Sequence, residues 1–378
     1  MHSWIGLKLS FLLFVILFSG TLAVVGNEID WLADPAMRAD PAAGAAASWG
    51  RIAANAQEAV PGGRIDLIER GPDPWFATIV VMQAPDGHRR RVLVDPATGT
   101  VNRVASFGSV QRFLRDFHRR FMLPVAIGLP LVTSFAFLMG ASLVTGLVTY
   151  KKFWRGFFRR PRGGTLRTTT GDLHRLAGLW SLWFVALIVA TSLWYLVELL
   201  GGAAQPLLPL ERVAKGSAPV LAQPVGGDLD RLAARAQAAY PDLAIKRVLY
   251  PFAGMSMVGF QGEAGTLLTT EKANAMFVDP ANGKVGMQVQ GQNLGAHARL
   301  SEMADPLHFG TWGGLASKLV WFLFGLFLTG LSVTGAIIYA ARLHGGAKAY
   351  VRGASWWLIP SAALVLGALW LTPNILAG

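Results

Sequence analysis

The chain of 378 residues is 53% hydrophobic and only 15% charged, with a mean hydropathy of +0.42, which excludes an ordinary soluble domain. It has no cysteine, which rules out disulfides, thiolate metal sites, iron–sulfur clusters and covalent cofactor attachment through CxxCH. The net charge of +12 comes mostly from short loops beside apolar runs, so it does not argue for a nucleic-acid partner.

In chain order, a first apolar run (1–26, its core at 4–26) is followed by a long polar segment, 27–120, and a second span at 121–150. A basic loop (151–174) leads to a third span (175–200), a second polar segment (201–314) and a fourth span (315–341). A short loop (342–354) precedes a fifth apolar run at 355–376. Each run passes the length test for a transmembrane helix. The expected fold is therefore a membrane α-helical bundle of about five helices carrying two small external α+β modules. The first run also resembles a cleavable signal peptide. Against that, its opening HSWIGL (2–7) recurs as HRLAGL at 174–179, deep inside the chain.

Basic residues set the orientation. The loop after the second span carries Lys151, Lys152, Arg155, Arg159, Arg160, Arg162 and Arg167 against the single acid Asp172. The loop after the fourth carries Arg342, Lys348 and Arg352 and no acid. The positive-inside rule puts both short loops and the amino terminus in the cytoplasm, and both long segments outside. Tryptophans near span ends, such as Trp180 and Trp312, read as an interfacial belt.

Within each long segment the pattern is an amphipathic helix followed by a small antiparallel sheet. LDRLAARAQAA (229–239) has helical spacing and ends before Pro241. RIDLIER (64–70), WFATIVVM (75–82) and RRVLVD (90–95) read as strands. The turns at 95–99 and 279–283 punctuate them. Each module is small enough to be marginal alone. The arginine triplet 89–91 reads as an exposed strand edge.

Most of the chain is duplicated, unit one covering about 2–150 and unit two about 174–342. IAANAQEAVP (52–61) parallels LAARAQAAYP (232–241), and VDPATGTV (94–101) parallels VDPANGKV (278–285). SLVTGLVTY (142–150) parallels LSVTGAIIY (331–339). Both units enter the membrane in the same direction, so a pseudo-two-fold axis along the membrane normal relates them. The fifth run stands outside the repeat.

Only seven histidines occur, and four fall at equivalent span ends, His2 with His174 and His118 with His308. Histidines of one unit are separated by about 30 Å of hydrocarbon and cannot share a ligand. Equivalent histidines of the two units can meet. Imidazoles on facing membrane helices hold haem iron without covalent attachment. The pattern therefore predicts an inner site from His2 and His174 and an outer site from His118 and His308, which together make a path for electrons. His344, just past the fourth span, rivals His2. Arg175, Arg119 and Arg120 adjoin these histidines and match a haem propionate as a two-point fork, or else meet lipid phosphate. His88 and His297, in the external segments, read as surface residues or else as substrate contacts.

HxxxGL before a span, a helix-plus-sheet module with a VDPxxG turn, and a late Thr-Gly in the next span resemble the PepSY-associated transmembrane family. The likeness covers nearly the whole chain, twice. Within that family the chain resembles the inner-membrane ferric-siderophore reductases. The resemblance implies PepSY-like periplasmic modules, two haem b groups, reduction of an Fe(III)-siderophore, and a bacterial inner-membrane location in contact with lipid. No hydrolase, Walker or GxGxxG motif is present, so the electrons must come from a quinol or another protein. Two rivals stay open. One is a non-redox protein whose anchored modules bind a partner; the other is a haem subunit serving a different acceptor.

Overall fold

The computed structural model describes residues 10–211, 223–342 and 346–376. Helices α1 (Ser10–Val24), α2 (Gly26–Ala33) and α3 (Trp49–Ala59) lead into strands β1 (Arg64–Glu69), β2 (Thr78–Gln83), β3 (Arg89–Val94) and β4 (Val101–Ser106). Next come α4 (Val110–Arg120), α5 (Val125–Thr149), α6 (Leu166–Trp180) and α7 (Leu182–Val197). The second half repeats the order, with α8 (Gly226–Ala239) before β5 (Ala244–Leu249), β6 (Val258–Glu263), β7 (Ala275–Val278) and β8 (Val285–Val289). Helices α9 (Ala296–Phe309), α10 (Gly314–Ala340) and α11 (Gly346–Leu376) complete the chain. These elements form two compact units.

One unit, Glu28–Ser109 with Ala204–Pro306, is built on a single antiparallel sheet of eight strands in the order β4-β3-β2-β1-β5-β6-β7-β8. The two expected modules are therefore halves of one sheet. They join where β1 meets β5, pairing Leu67 with Leu249, Ile68 with Val248 and Glu69 with Arg247. That pairing removes the two strand edges that separate modules would each leave open. Helices α3 and α8 cover one face and share its core, in which Ile52, Ile68, Val80, Leu229, Val248 and Phe260 are fully buried. Ser48 caps α3 by accepting from Arg51 N–H, and Asp230 of α8 accepts from Gly50 N–H at 2.7 Å. The VDPxxG turns work as their spacing predicts: Asp95 and Asp279 accept main-chain N–H groups two residues on. Gly99 and Gly283 supply φ values of +75° and +69°, a region that favours glycine. Strand β2 starts three residues later than the apolar run at 75, because Phe76 N–H closes a turn onto Asp73 O.

The other unit holds the apolar helices. Among the described residues, three stretches are long and apolar enough to cross a membrane: Val125–Thr149, Leu182–Gly202 and Thr311–Ala340. A fourth is counted if Phe11–Val24 and Gly26–Ala33, bent by 63°, act together. Within the expected fifth span the apolar helix Leu358–Pro373 is shorter than these. Two further boundaries differ from the sequence reading. The third run is two helices meeting at Ser181, so His174 lies on α6, ahead of the apolar stretch. Helix α4 falls within the segment read as the first external module, 27–120, but belongs to the helical unit. Its Leu114 and Phe117 are buried, and Phe117 packs with Leu12, Ile16, Phe135 and Ala368 of α1, α5 and α11. Phe121 and Met122, both fully buried with φ of +49° and +55°, turn the chain sharply from α4 into α5.

Candidate functional site

The helical unit brings His118 of α4 and His308 of α9 together, with ring centres 6.4 Å apart and planes inclined by 38°. Each ring is anchored through Nδ1. His118 Nδ1 lies 2.9 Å from Ile16 O, a carbonyl, so it donates. His308 Nδ1 lies 2.8 Å from Thr191 Oγ1. The Thr191 hydroxyl already donates to Leu187 O at 2.9 Å, so it accepts from the imidazole. Both rings are thereby fixed as Nδ1–H tautomers with the lone pair on Nε2. Crowding by protein atoms lowers the pKa of both imidazoles, and for His308 the neighbouring His118 adds to the effect. The pair is held neutral, the form that binds a metal. Gly20 makes room for the His118 ring: a Cβ there would stand 2.6 Å from its Cε1. Tyr195 meets His308 edge-on at 5.3 Å.

The spacing fits one metal ion between the rings. With imidazole–metal bonds of about 2 Å on each side, the ring centres come to stand about 6 Å apart. Among the described residues no group of three or more His, Cys, Asp or Glu is placed to hold a metal. A two-imidazole donor set of this kind suits a metal whose other ligands come from a macrocycle.

His174 lies elsewhere. It faces a cavity whose lining includes none of His118, His308 and Thr191. Its Nδ1 is 2.7 Å from Thr334 Oγ1, whose hydroxyl donates to Gly330 O at 2.7 Å. The same logic makes His174 Nδ1 the donor. This imidazole lines a cavity of about 740 Å³, together with Arg175 and the repeat-related pairs Gly146/Gly335 and Tyr150/Tyr339. That volume is in the usual range of ligand pockets, about 300–1,000 Å³. Apolar helix faces wall it, and Arg175 and Arg342 lie on its lining.

Arg175 Nη1 is 3.3 Å from Asp172 Oδ1. Asp172 is buried and accepts from Arg162 N–H at 2.8 Å and from Arg162 Nε at 3.0 Å. Hydrogen bonds from the Arg162 side chain and main chain hold the Asp172 carboxyl well below the usual carboxylate range. On α4, Asp116 plays a comparable part: it is buried and lies 3.0 Å from Arg120 and 3.7 Å from Arg115. Arg119 is on the exposed side of that helix. His2 and its rival His344 both lie outside the described residues.

Thr191, Thr334, Gly20, Asp172 and Arg162 were not singled out from sequence. Only Thr334 carried a signal, through the Val-Thr-Gly that recurs at 144–146 and 333–335. Its counterpart Thr145 makes the same back-bond, donating to Ala141 O at 2.6 Å.

Residues 1–342 match the family described as the PepSY-associated TM region. The chain belongs to this family. The match spans both repeats and ends before α11, the helix outside the duplication. As a PepSY-associated TM protein the chain is a membrane protein, and exposed apolar side chains such as Val125, Ile127, Phe137 and Val144 along α5 are suited to lipid. No curated protein matches it.

Proposed function

We propose that this membrane protein carries electrons across the bacterial inner membrane through two haem b groups and reduces Fe(III)-siderophore on the periplasmic side. The observation that carries the reading is the His118–His308 pair, two imidazoles with ring centres 6.4 Å apart on helices of different repeats. When bound, haem supplies a one-electron couple that needs no general acid or base. His118 and His308 would hold the outer group, with Ile16 O and Thr191 Oγ1 fixing ring orientation and raising ligand basicity. His174 would hold the inner group within its cavity, oriented by Thr334, with His2 (or His344) as the second ligand. Arg175 there and Arg119 beside His118 are the candidates to pair with propionates.

In this reading the amino terminus is cytoplasmic and the sheet unit periplasmic, which the positive-inside rule supports through the basic loops. The electrons would come from a quinol or a protein donor on the side of the His174 cavity. One electron passed outward converts Fe(III) to Fe(II), which the hard oxygen ligands of a siderophore hold far less tightly, so the metal leaves without cleavage of the chelator.

The test is reconstitution into vesicles with dithionite sealed inside, a ferric hydroxamate outside, and a chromophoric Fe(II) trap. The reading predicts protein-dependent Fe(II) outside. Intact vesicles that carry haem-loaded protein yet form no Fe(II) would contradict it.

A further inference from the structure

The segment just after α5 is tied to α6 at three places. Trp180 Nε1 donates to Phe157 O at 3.0 Å, Arg175 Nη2 to Arg159 O at 3.4 Å, and Arg162 to Asp172 through both main chain and side chain. The same segment reaches the His174 cavity. Phe153 and Tyr150 line it, and Gly156 packs so closely on Tyr150 that a Cβ would stand 2.5 Å from the tyrosine hydroxyl.

The guanidinium of Arg175 is unevenly satisfied. Among the described residues, Nη1 faces Asp172, Nη2 makes the 3.4 Å contact with Arg159 O, and Nε is buried with no hydrogen-bond partner. Nε and Nη2 form the side-on edge of the fork, the edge whose two N–H groups match the two oxygens of a carboxylate. Asp172 cannot fill that role, because Arg162 already donates three hydrogen bonds to it. Two arginines against one aspartate also leave a positive charge beside the cavity. The Nε–Nη2 edge of Arg175 is thus the part of this arrangement suited to take an anion.

We propose that Arg162, Asp172 and Arg175 form a carboxylate-reading clamp at the His174 cavity. In it Arg175 contacts a carboxylate arm of the bound cofactor, and Asp172, locked by Arg162, is the positioning residue that aims Arg175. This deepens the haem reading and rests on it. Arg175 selects the orientation in which the carboxylates of the macrocycle face the basic loop, and it couples that loop to cofactor retention.

The test compares haem with its dimethyl ester, in which both carboxylates are masked, for uptake by the full-length apoprotein in detergent. Haem equivalents are titrated in the wild type and in Asp172→Asn, Arg175→Gln and Arg162→Gln. The wild type should prefer free-acid haem by about tenfold at one of its two sites, the expected size of a charge-assisted pair. Arg175→Gln and Asp172→Asn should abolish that preference while the other site is unchanged. Arg162→Gln, which keeps the aspartate, should reduce the preference and serves as the reporter if Asp172→Asn does not fold. A merely structural Asp172 would lower uptake of both forms equally and overturn the clamp. So would a wild type that binds two haems without preference, and in that case the haem reading survives. A wild type that takes up neither form overturns both.

Discussion

His118 and His308, on helices from different repeats, stand with ring centres 6.4 Å apart, each with Nδ1 tied to a different kind of acceptor. His118 donates to the carbonyl of Ile16, and His308 to the hydroxyl of Thr191. With Nδ1 of each ring engaged, Nε2 is the nitrogen left to bind a metal, and the consequences are specific to each site.

Thr191→Val keeps the shape but removes the acceptor of His308 Nδ1–H. Loss of such a supporting partner weakens metal binding by about 10- to 100-fold. The variant should lose the haem of the His118/His308 site and retain the other. Thr334→Val should do the reverse. Haem-to-protein ratios and reduced-minus-oxidised spectra check both, and equal loss in the two variants would contradict separate sites.

Gly20→Ala should give opposite effects on helix and site. In a free helix alanine is favoured over glycine by about 0.5–1 kcal/mol. Here its Cβ would stand 2.6 Å from His118 Cε1 and displace the ring. The expected outcome is a folded protein with disturbed outer-site haem spectra, whereas unchanged spectra would show that the ring has room.

Much of this was legible in sequence, and the reasons are local. VDPxxG and Val-Thr-Gly recur because each marks a position with a fixed geometric task, so the repeat and the meeting of His118 with His308 could be read directly. What escaped was nonlocal. The β1–β5 pairing joins strands from different repeats, and neither strand announces its partner. The 63° bend after Val24 and the break at Ser181 interrupt runs that are apolar throughout. Thr191 had no repeated signature because the halves differ there. Its counterpart by the HxxxGL offset (191 − 172) is Ser19, which donates to Val15 O, while His118 uses a main-chain carbonyl instead.

The shared sheet makes its own prediction. Val248→Pro removes a main-chain donor at the β1–β5 seam, where proline is poorly tolerated. Amide protection should fall in β1–β4 as well as β5–β8. Loss confined to the second half would mean that the two halves are independent.

Asp66 gives a pH dependence to the sheet unit. Its Oδ2 is buried, 3.2 Å from Arg89 Nε, and burial, outweighing the nearby arginines, raises its pKa above the ordinary 3.8. The fold then holds this proton more tightly than the unfolded chain does. The contribution of Asp66 to stability is most favourable below 3.8 and declines as pH rises through the folded value. Asp66→Asn should flatten that decline in melting experiments, and a steeper decline would contradict the assignment.

The central claim is tested most directly by a visible spectrum of the detergent-purified protein, oxidised and dithionite-reduced, with haem quantified in the wild type and in His118→Ala, His308→Ala and His344→Ala. The account predicts sharp b-type bands at about two haems per chain, with one lost in each of the first two variants and both kept in the third. Colourless protein after haem supply, or full haem content in both His118→Ala and His308→Ala, would contradict it.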